Sequence, residues 1–307
     1  MTFTMKRMGM ALLFGLAILT CICTRLESKP LNQATPPEPL LIGLIPEQNI
    51  FKQVERYEPL ANYMANKMGM EIKLKVLARY GNIIDNFVSM GMDGAFFGSF
   101  TYALARKKLG VEVLARPEGL DGSSTYHGLI FVRRDSRIKN VREMKGKRFV
   151  FVDKATTAGF LLPLAYFKIQ GVKDYRAHFK ETYFAGTHED AIYDVLNKKA
   201  DIGAAKNTVF ERLAQADLRI LRELEILEKS PDVPENGLAV RKSLASPVKE
   251  TLREILLNMH LDPPGKTILQ NFGARKFILT TDRDYEPVFR YAHEIKLDLV
   301  HYDYLNE

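Results

Sequence analysis

Cysteine is nearly absent from this sequence. The chain of 307 residues contains two cysteines, Cys21 and Cys23, and both lie close to the N-terminus. The remainder of the chain therefore cannot be held together by disulfide bonds. With 46% apolar and 26% charged residues, it is expected to bury a substantial core and to form about two domains.

The motifs of common catalytic sites are absent as well. The sequence has no Gly-x-Ser-x-Gly elbow, no Gly-x-x-x-x-Gly-Lys-Ser/Thr nucleotide loop and no paired cysteine or histidine ligands. His188-Glu189 begins like a His-Glu-x-x-His zinc helix, but Ile192 stands where the second histidine is required. We therefore expect no metal and no cofactor. An enzyme remains a less favoured interpretation, which an assay for turnover of a bound ligand would test.

A concentrated basic surface is also missing. The formal net charge is +7, but lysine and arginine are scattered among acidic residues, and no basic helix carries interleaved aromatic side chains. Nucleic acid is therefore not an expected partner. A mildly basic protein favours encounters with a small anionic ligand, although the same charge can serve solubility alone.

One long apolar run is present, at the N-terminus. Lys6 and Arg7 precede an apolar stretch at 8–23, in the order typical of an export signal and too short for an ordinary membrane span of about 20 residues. We interpret residues 1–20 as a signal peptide. The following residues, 21–39, contain four prolines among polar residues and are predicted to form a tether.

The end of this signal resembles that of a bacterial lipoprotein. Ile18-Leu19-Thr20-Cys21 stands where a lipobox is found, and Cys21 is the predicted lipid attachment site. Thr20 departs from the usual small residue. Cys23, an uncleaved anchor, or a plain signal peptide with incidental cysteines remain alternatives. The expected location is the periplasm or cell surface, attached to a membrane.

Past the tether, short apolar strands alternate with amphipathic helices, which predicts an α/β protein with largely parallel sheets. A strand is expected at 40–44, a helix at 57–68 and a strand at 72–77. A further helix at 82–90 is expected to bury Val88 and leads through residues 93–97 into another strand. A second unit of helix, polar turn, aspartate and small-residue strand spans 191–205, and this echo indicates two lobes of like architecture.

The segment from Ala155 to Pro163 follows an apolar strand at 148–152 and is predicted to open a helix. Such a helix start has free backbone N–H groups and the positive end of the helix dipole, which favour an anion. Thr156 and Thr157 can cap these donors or add hydroxyl donors. An ordinary helix cap without a ligand is the alternative.

From about Leu40 to its C-terminus, the chain resembles the phosphonate, phosphite and phosphate substrate-binding proteins of ABC importers. Matching motifs occur in the same order over nearly all of this region. They are 57–63 (YEPLANY), 79–84 (RYGNII), 98–102 (GSFTY), 125–127 (TYH), 153–163 (DKATTAGFLLP), 185–191 (AGTHEDA) and 234–242 (PENGLAVRK).

The resemblance implies a two-lobed periplasmic-binding-protein fold of type II, with the ligand in the cleft and the chain crossing twice between lobes. Lobe 1 would comprise residues 40–126 and 235–307, and lobe 2 residues 127–234. The implied protein is a monomer that captures a phosphorus oxyanion and hands it to a membrane permease. A sensory module that passes an anion signal to a membrane partner is the alternative.

The resemblance also implies a set of ligand-binding residues. Phenol hydroxyls would reach phosphoryl oxygens, a Ser-Thr-Ser stretch would clasp them, and a histidine would donate to them. In this sequence the corresponding residues are Tyr80, Ser99, Tyr126, Thr156, Thr157, Ala158 and His188. Ala158 departs from the pattern and removes one hydroxyl. A bound dianion is expected to raise the pKa of His188.

Two further positions bear on the ligand. Relatives that bind an aminoalkyl phosphonate hold its ammonium with carboxylates, and the corresponding residues here are Val209 and Asn236. A buried ammonium without a carboxylate is costly. Phosphate, phosphite or a small phosphonate with a neutral tail is therefore the expected ligand. Lys206 either adds a positive charge near the cleft or is a solvated lysine at a strand end.

Overall fold

The computed structural model describes residues 38–306. The predicted signal peptide, the lipid attachment site Cys21 and most of the tether lie outside these residues. No helix within residues 38–306 is both long and apolar enough to cross a membrane.

The strands of residues 38–306 are, in chain order, β1 (Leu40–Leu44), β2 (Ile72–Val76), β3 (Gly94–Phe97), β4 (Glu112–Gly119), β5 (Thr125–Tyr126), β6 (Gly128–Arg133), β7 (Arg148–Phe151), β8 (Glu181–Phe184), β9 (Ile202–Lys206), β10 (Leu224–Lys229), β11 (Val233–Pro234), β12 (Gly237–Val240) and β13 (Ala274–Leu279). Within this range they form a six-stranded sheet in the order β13-β4-β12-β3-β1-β2 and a five-stranded sheet in the order β10-β6-β9-β7-β8. β3 and β9 are buried along their whole length, as their apolar and small residues require.

The α-helices of the same residues are, in chain order, α1 (Ile50–Met68), α2 (Asn82–Ser89), α3 (Ser99–Leu109), α4 (Leu162–Ile169), α5 (Tyr175–His178), α6 (His188–Leu196), α7 (Asn207–Ala216), α8 (Arg219–Glu223), α9 (Ser246–Asn258), α10 (Pro263–Phe272) and α11 (Glu286–Glu294). Short 3₁₀ turns occur at Arg134–Ser136, Met259–Leu261 and Asp282–Tyr285, and a π-helical turn at Thr157–Leu161 leads into α4.

The two sheets share an arrangement. In the first, β1 lies between β2 and β3 and pairs with both in parallel, and β12 is antiparallel to β3. In the second, β7 lies between β8 and β9 with the same directions, and β6 is antiparallel to β9. This repeat agrees with the echo in the sequence, and the predicted α/β type II fold is confirmed. The sheets are mixed rather than largely parallel, because strands such as β4, β6 and β10 add antiparallel pairs.

A two-stranded antiparallel ladder joins the sheets. The chain leaves the first sheet through β5 and returns to it through β11, with Tyr126 opposite Val233. The predicted lobe boundaries, at 126/127 and 234/235, coincide with this ladder. The division into lobes remains a prediction.

Local details differ from the sequence prediction. α1 begins at Ile50 rather than at residue 57, because the side chain of Asn49 accepts a hydrogen bond from the N–H of Phe51 and caps the helix earlier. Val88 was expected to be buried but is 66% exposed, since α2 buries the face that carries Ile83, Ile84 and Phe87.

Candidate functional site

The site lies where the parallel strands of both sheets end. Glu47 follows β1, the start of α3 follows β3, and Lys206 is the last residue of β9. The π-helical turn follows β7, and α6 follows β8. The crevice at the carboxyl ends of such strands is the usual ligand-binding region of open α/β sheets.

Two helix starts, one from each sheet, meet in this crevice. α3 begins at Ser99 after β3, and the π-helical turn begins at Thr157 after β7. The N–H of Phe100 donates a buried hydrogen bond of 2.8 Å to Oγ1 of Thr157. The first N–H groups of both helices have no partner within their own helix, so two sets of backbone donors face the same place.

The threonines of the predicted anion loop do not cap their own helix. Thr156 is the N-cap residue, but its Oγ1 donates to the carbonyl of Asp153 at 2.7 Å. Thr157 binds α3, as described above. Gly159 allows this tight turn, since a Cβ there would lie 2.4 Å from Cβ of Val152.

A small cavity of about 10 Å³ lies between these elements. That is room for about one water molecule. Its lining residues are Ile45, Glu47, Tyr80, Gly98, Thr101, Tyr126, Thr156, Thr157, His188, Lys206 and Asn236. Five of the predicted site residues therefore line one cavity: Tyr80, Tyr126, Thr156, Thr157 and His188.

Two predicted site residues do not line it. The hydroxyl of Ser99 donates to the carbonyl of Pro234 in β11, so it is used to fix the chain that returns to the first sheet. Ala158 lines a separate apolar groove and packs against Gly128. Its backbone belongs to the π-helical turn, but Ala158 is not among the residues that line the cavity.

We refer to Tyr80, Tyr126, Thr156 and Thr157 as the hydroxyl cluster. The hydroxyl of Tyr80 is buried and has no hydrogen-bond partner among residues 38–306. Burial raises the pKa of Tyr80 well above its usual value. The pKa of Tyr126 is also raised by burial, against the opposing effects of Lys206 and of the Ser99 and Thr157 hydroxyls. Both phenols therefore keep their protons and can donate them to an acceptor.

His188 is the first residue of α6, as predicted. The side chain of Thr187 caps this helix by accepting a hydrogen bond from the N–H of Asp190. Its Nδ1 accepts a hydrogen bond of 3.2 Å from the backbone N–H of Lys206. Burial lowers the pKa of His188 to about 3, and the charges of Lys206 and Arg212 add to this effect against that of Glu47. This direction is opposite to the one expected beside a bound dianion. The ring is neutral in this structure and carries its proton on Nε2, which makes it a neutral donor.

The other cavity wall carries charge. Nζ of Lys206 lies 3.0 Å from Oε1 of Glu47 and is paired with Oε1 of Glu235. The side chain of Asn236 joins them, because its Oδ1 lies 3.3 Å from Nζ and its Nδ2 donates to Glu47 at 2.9 Å. We call Glu47, Lys206, Glu235 and Asn236 the charged cluster.

The shifted pKa values of Glu47 and Lys206 show that both members of this buried pair are charged. Burial raises the pKa of Glu47, but Lys206, Arg56 and Arg212 outweigh it, and the net direction is well below the usual range. Burial lowers the pKa of Lys206, but Glu235 and Glu47 hold it above its usual value. Both groups are thus ionised at neutral pH.

Glu47 and Glu235 were not among the predicted site residues. A signal was present for Glu47, because an acidic residue three positions after a buried strand lies at the edge where ligands bind. Lys206 is 3% exposed, so the interpretation as a solvated lysine is wrong, and the interpretation as a charge in the cleft is correct.

Asp153 lies behind the hydroxyl cluster. Its Oδ1 accepts from the N–H of Ala155 and its Oδ2 from Nδ2 of Asn306, each at 2.8 Å. Burial raises the pKa of Asp153 to about 6, although these hydrogen bonds oppose the shift. The start of the anion loop is therefore held by its own backbone and by a residue at the C-terminal end of the described chain.

The sequence is similar to known periplasmic binding and import proteins for phosphorus compounds. The sequence model of a family described as "ABC transporter, phosphonate, periplasmic substrate-binding protein" matches residues 42–285. The phosphonates-binding periplasmic protein of Escherichia coli (strain K12) is 26% identical over 267 residues, which cover 86% of this chain and 78% of that protein. The phosphate-import protein of Mycolicibacterium smegmatis is 25% identical over 252 residues, 77% of each chain.

Solved structures show the same fold. A binding protein component of an ABC phosphonate transporter from Pseudomonas aeruginosa superposes with a TM-score of 0.79 at 24% identity, over 84% of this chain and 87% of that one. A protein of Prochlorococcus marinus in complex with methylphosphonate gives a TM-score of 0.75 at 22% identity, over 85% and 99%. The family match spans most of the chain and the cavity residues Glu47 to Asn236. The chain therefore belongs to the periplasmic substrate-binding proteins of ABC phosphonate transporters.

Proposed function

We propose that the protein captures a phosphorus oxyanion, namely phosphate, phosphite or a small phosphonate with a neutral tail, and delivers it to a membrane permease. The observation that carries this proposal is the meeting of two helix starts at the bond between Phe100 and Thr157, beside the unpartnered hydroxyl of Tyr80. The names of the relatives, which include phosphonate, phosphite and phosphate binding, support the same class of ligand.

The hydroxyl cluster offers neutral donors to an anion. Tyr80, Thr157 and the Nε2–H of His188 can each donate one hydrogen bond, and the helix starts add backbone N–H groups, whereas the hydroxyl of Thr156 already donates to Asp153. Fixed neutral donors in a site that excludes water bind an anion strongly, because hydrogen bonds are stronger in a medium of low dielectric constant.

We infer that the site works by opening and closing. A cavity of about 10 Å³ cannot hold a tetrahedral anion, so the two helix starts must separate to admit one. The N–H of Phe100, which now donates to Thr157, would then be free to donate to a phosphoryl oxygen, and the O–H of Thr157 could donate to it as well. Closure on the ligand brings both sets of donors together, and the closed form is what a permease would recognise.

The interpretation as a transport protein is favoured over two alternatives. An enzyme would require turnover of the bound ligand, which a phosphate-release assay on bound phosphonate measures. A sensory module would act through a membrane partner other than a permease, and neighbouring genes for a permease and an ATPase would argue against it.

We further propose that the protein acts in the periplasm, attached to a membrane through lipid on Cys21. The support is the charged, then apolar order of the N-terminus and the position of Cys21 at its end. The Cys21→Ser protein is expected to lose fatty-acid labelling and membrane attachment. Labelling that persists in Cys21→Ser and vanishes in Cys23→Ser would move the lipid to Cys23.

The ligand class is tested by thermal shift and calorimetry with phosphate, phosphite, methylphosphonate, 2-aminoethylphosphonate and sulfate. A ligand that binds the folded state raises its stability with the logarithm of concentration over dissociation constant. We expect at least one of the first three anions to stabilise the protein more than sulfate and 2-aminoethylphosphonate do. Equal or absent shifts with all five would contradict the proposal.

A further inference from the structure

The ammonium of Lys206 has a complete set of partners within the protein. It has three N–H donors, and three acceptors surround it: Glu47 at 3.0 Å, Asn236 at 3.3 Å and Glu235. Its Nζ also lies 4.4 Å from the centre of the Tyr126 ring. Two carboxylates, an amide oxygen and an aromatic face are the groups with which proteins bind a primary ammonium ion.

This arrangement does not follow from stability alone. Burying an ion pair costs desolvation, and apolar residues of similar volume are often as stabilising. Lys206 and Glu47 are each 3% exposed, yet they line the same cavity as Tyr80 and Thr157. The charges are thus placed where a ligand's tail would lie if its phosphoryl group bound the hydroxyl cluster.

Lys206 does not act as a free cation for the anion. All of its donors are used, and the second oxygen of Glu47, Oε2, is itself 3.7 Å from Nη1 of Arg56. The carboxylates of the charged cluster are therefore already neutralised. An incoming ammonium group would have to displace Lys206, whose charge would then be buried without a partner.

We propose that Lys206 determines specificity by filling an ammonium subsite with its own side chain, so that the protein rejects phosphonates with a cationic tail. This inference rests on the proposed function. The sequence shows no carboxylate at positions 209 and 236, but in the structure Glu47 lines the cavity, Glu235 lies beside it, and the ammonium of Lys206 is paired with both. Removing Lys206 should open the subsite to an aminoalkylphosphonate.

The test compares ethylphosphonate with 2-aminoethylphosphonate, which differ by one ammonium group. Calorimetry on the wild type should show tighter binding of ethylphosphonate. In Lys206→Ala the ratio of the two dissociation constants should move toward 2-aminoethylphosphonate by about 10-fold or more, the effect of a hydrogen bond to a charged group.

Three further variants test whether the change comes from the ammonium of Lys206. Lys206→Arg retains the charge and should keep the wild-type preference. Lys199→Ala removes an exposed lysine that is paired with Asp194 and should change nothing. Since Lys206→Ala leaves Glu47 short of a partner, the double variant Lys206→Ala/Glu47→Gln removes that buried charge, and it should shift the ratio in the same direction through Glu235.

A destabilised Lys206→Ala protein gives a second measurement. 2-Aminoethylphosphonate should raise its melting temperature more than ethylphosphonate does, because the ligand supplies the missing ammonium. The role of Lys206 would be overturned if the ratio of the two dissociation constants were unchanged in both Lys206→Ala and Lys206→Ala/Glu47→Gln, or if both ligands were weakened equally. Either result would leave the proposal of oxyanion binding intact. A wild-type protein that binds none of the phosphorus oxyanions would overturn the proposed function and this inference together.

Discussion

The charged cluster and the hydroxyl cluster differ in how completely their polar groups are hydrogen-bonded within the protein. The charged cluster is complete, since Lys206 has three acceptors and Glu47 is bonded to Lys206 and Asn236 and lies near Arg56. The hydroxyl cluster is incomplete, since the buried hydroxyl of Tyr80 has no partner among residues 38–306. A buried polar group without a partner costs free energy, which a ligand acceptor would recover. The comparison indicates that the protein keeps a hydrogen-bond donor available for an anion, whereas the acceptors around Lys206 are already used.

The largest effect should come from breaking the charged cluster. Glu47→Ala leaves Lys206 and Arg56 short of a buried carboxylate, and the free energy of unfolding should fall by about 3 to 5 kcal/mol. Urea denaturation measures it. Glu58→Ala, which removes an exposed glutamate of the same helix region, should change stability by less than about 0.5 kcal/mol. Equal effects of the two substitutions would show that the charged cluster is not a coupled unit.

Within the hydroxyl cluster, a substitution of Tyr80 should change oxyanion affinity rather than stability. Tyr80→Phe removes a hydroxyl that has no partner to lose, so stability should stay the same or rise slightly. Oxyanion affinity should fall about 10-fold or more, because a hydrogen bond to a charged acceptor is lost. Calorimetry and urea denaturation measure the two quantities. Tyr166→Phe, outside the cavity, serves as the control, and an unchanged affinity in Tyr80→Phe would remove Tyr80 from the site.

Thr157 differs from Tyr80 within the hydroxyl cluster, because its hydroxyl has a hydrogen-bond partner that Thr157→Ala would remove. This hydroxyl already accepts a hydrogen bond from Phe100, and its removal leaves a buried N–H without an acceptor at a cost of about 1 to 3 kcal/mol. The substitution should therefore lower both stability and oxyanion affinity. A loss of affinity with unchanged stability would mean that the bond to Phe100 contributes little.

The contribution of His188 to stability should be visible only in the pH dependence of unfolding. Its pKa is lowered from 6.5 to about 3 in the folded protein, so the unfolded state binds more protons between these values. This stability is present above pH 6.5 and is lost as the pH falls toward 3, by about 2 kcal/mol between pH 7 and pH 5. His188→Asn should flatten this part of the profile, while His293→Asn, at an exposed position, should not. An unaltered profile in His188→Asn would mean that the ring is not held neutral.

Much of the fold could be predicted from local pattern. Apolar runs such as Leu40–Leu44, amphipathic helices such as Asn82–Ser89 and the echo between the two sheets follow from side-chain periodicity, which local sequence carries. The sheet directions were predicted less well, because antiparallel strands such as β12 return from distant parts of the chain. The motif resemblance named five residues that line one cavity, while Ser99 and Ala158 do not line it. The part of all seven in ligand binding stays a prediction.

The alternating α/β architecture, the hydroxyl-rich helix start at Thr156 and Thr157, and the family motifs follow from the amino-acid order alone, because each depends on residues close together in the chain. The pairing of the charges depends instead on the three-dimensional fold. Glu47 and Lys206 are separated by 159 positions, and they meet because β1 and β9 end in the same crevice and β11 carries Glu235 back to it. Whether a buried lysine is a donor to the ligand or an occupant of its site depends on which acceptors surround it, and that depends on how the two sheets pack.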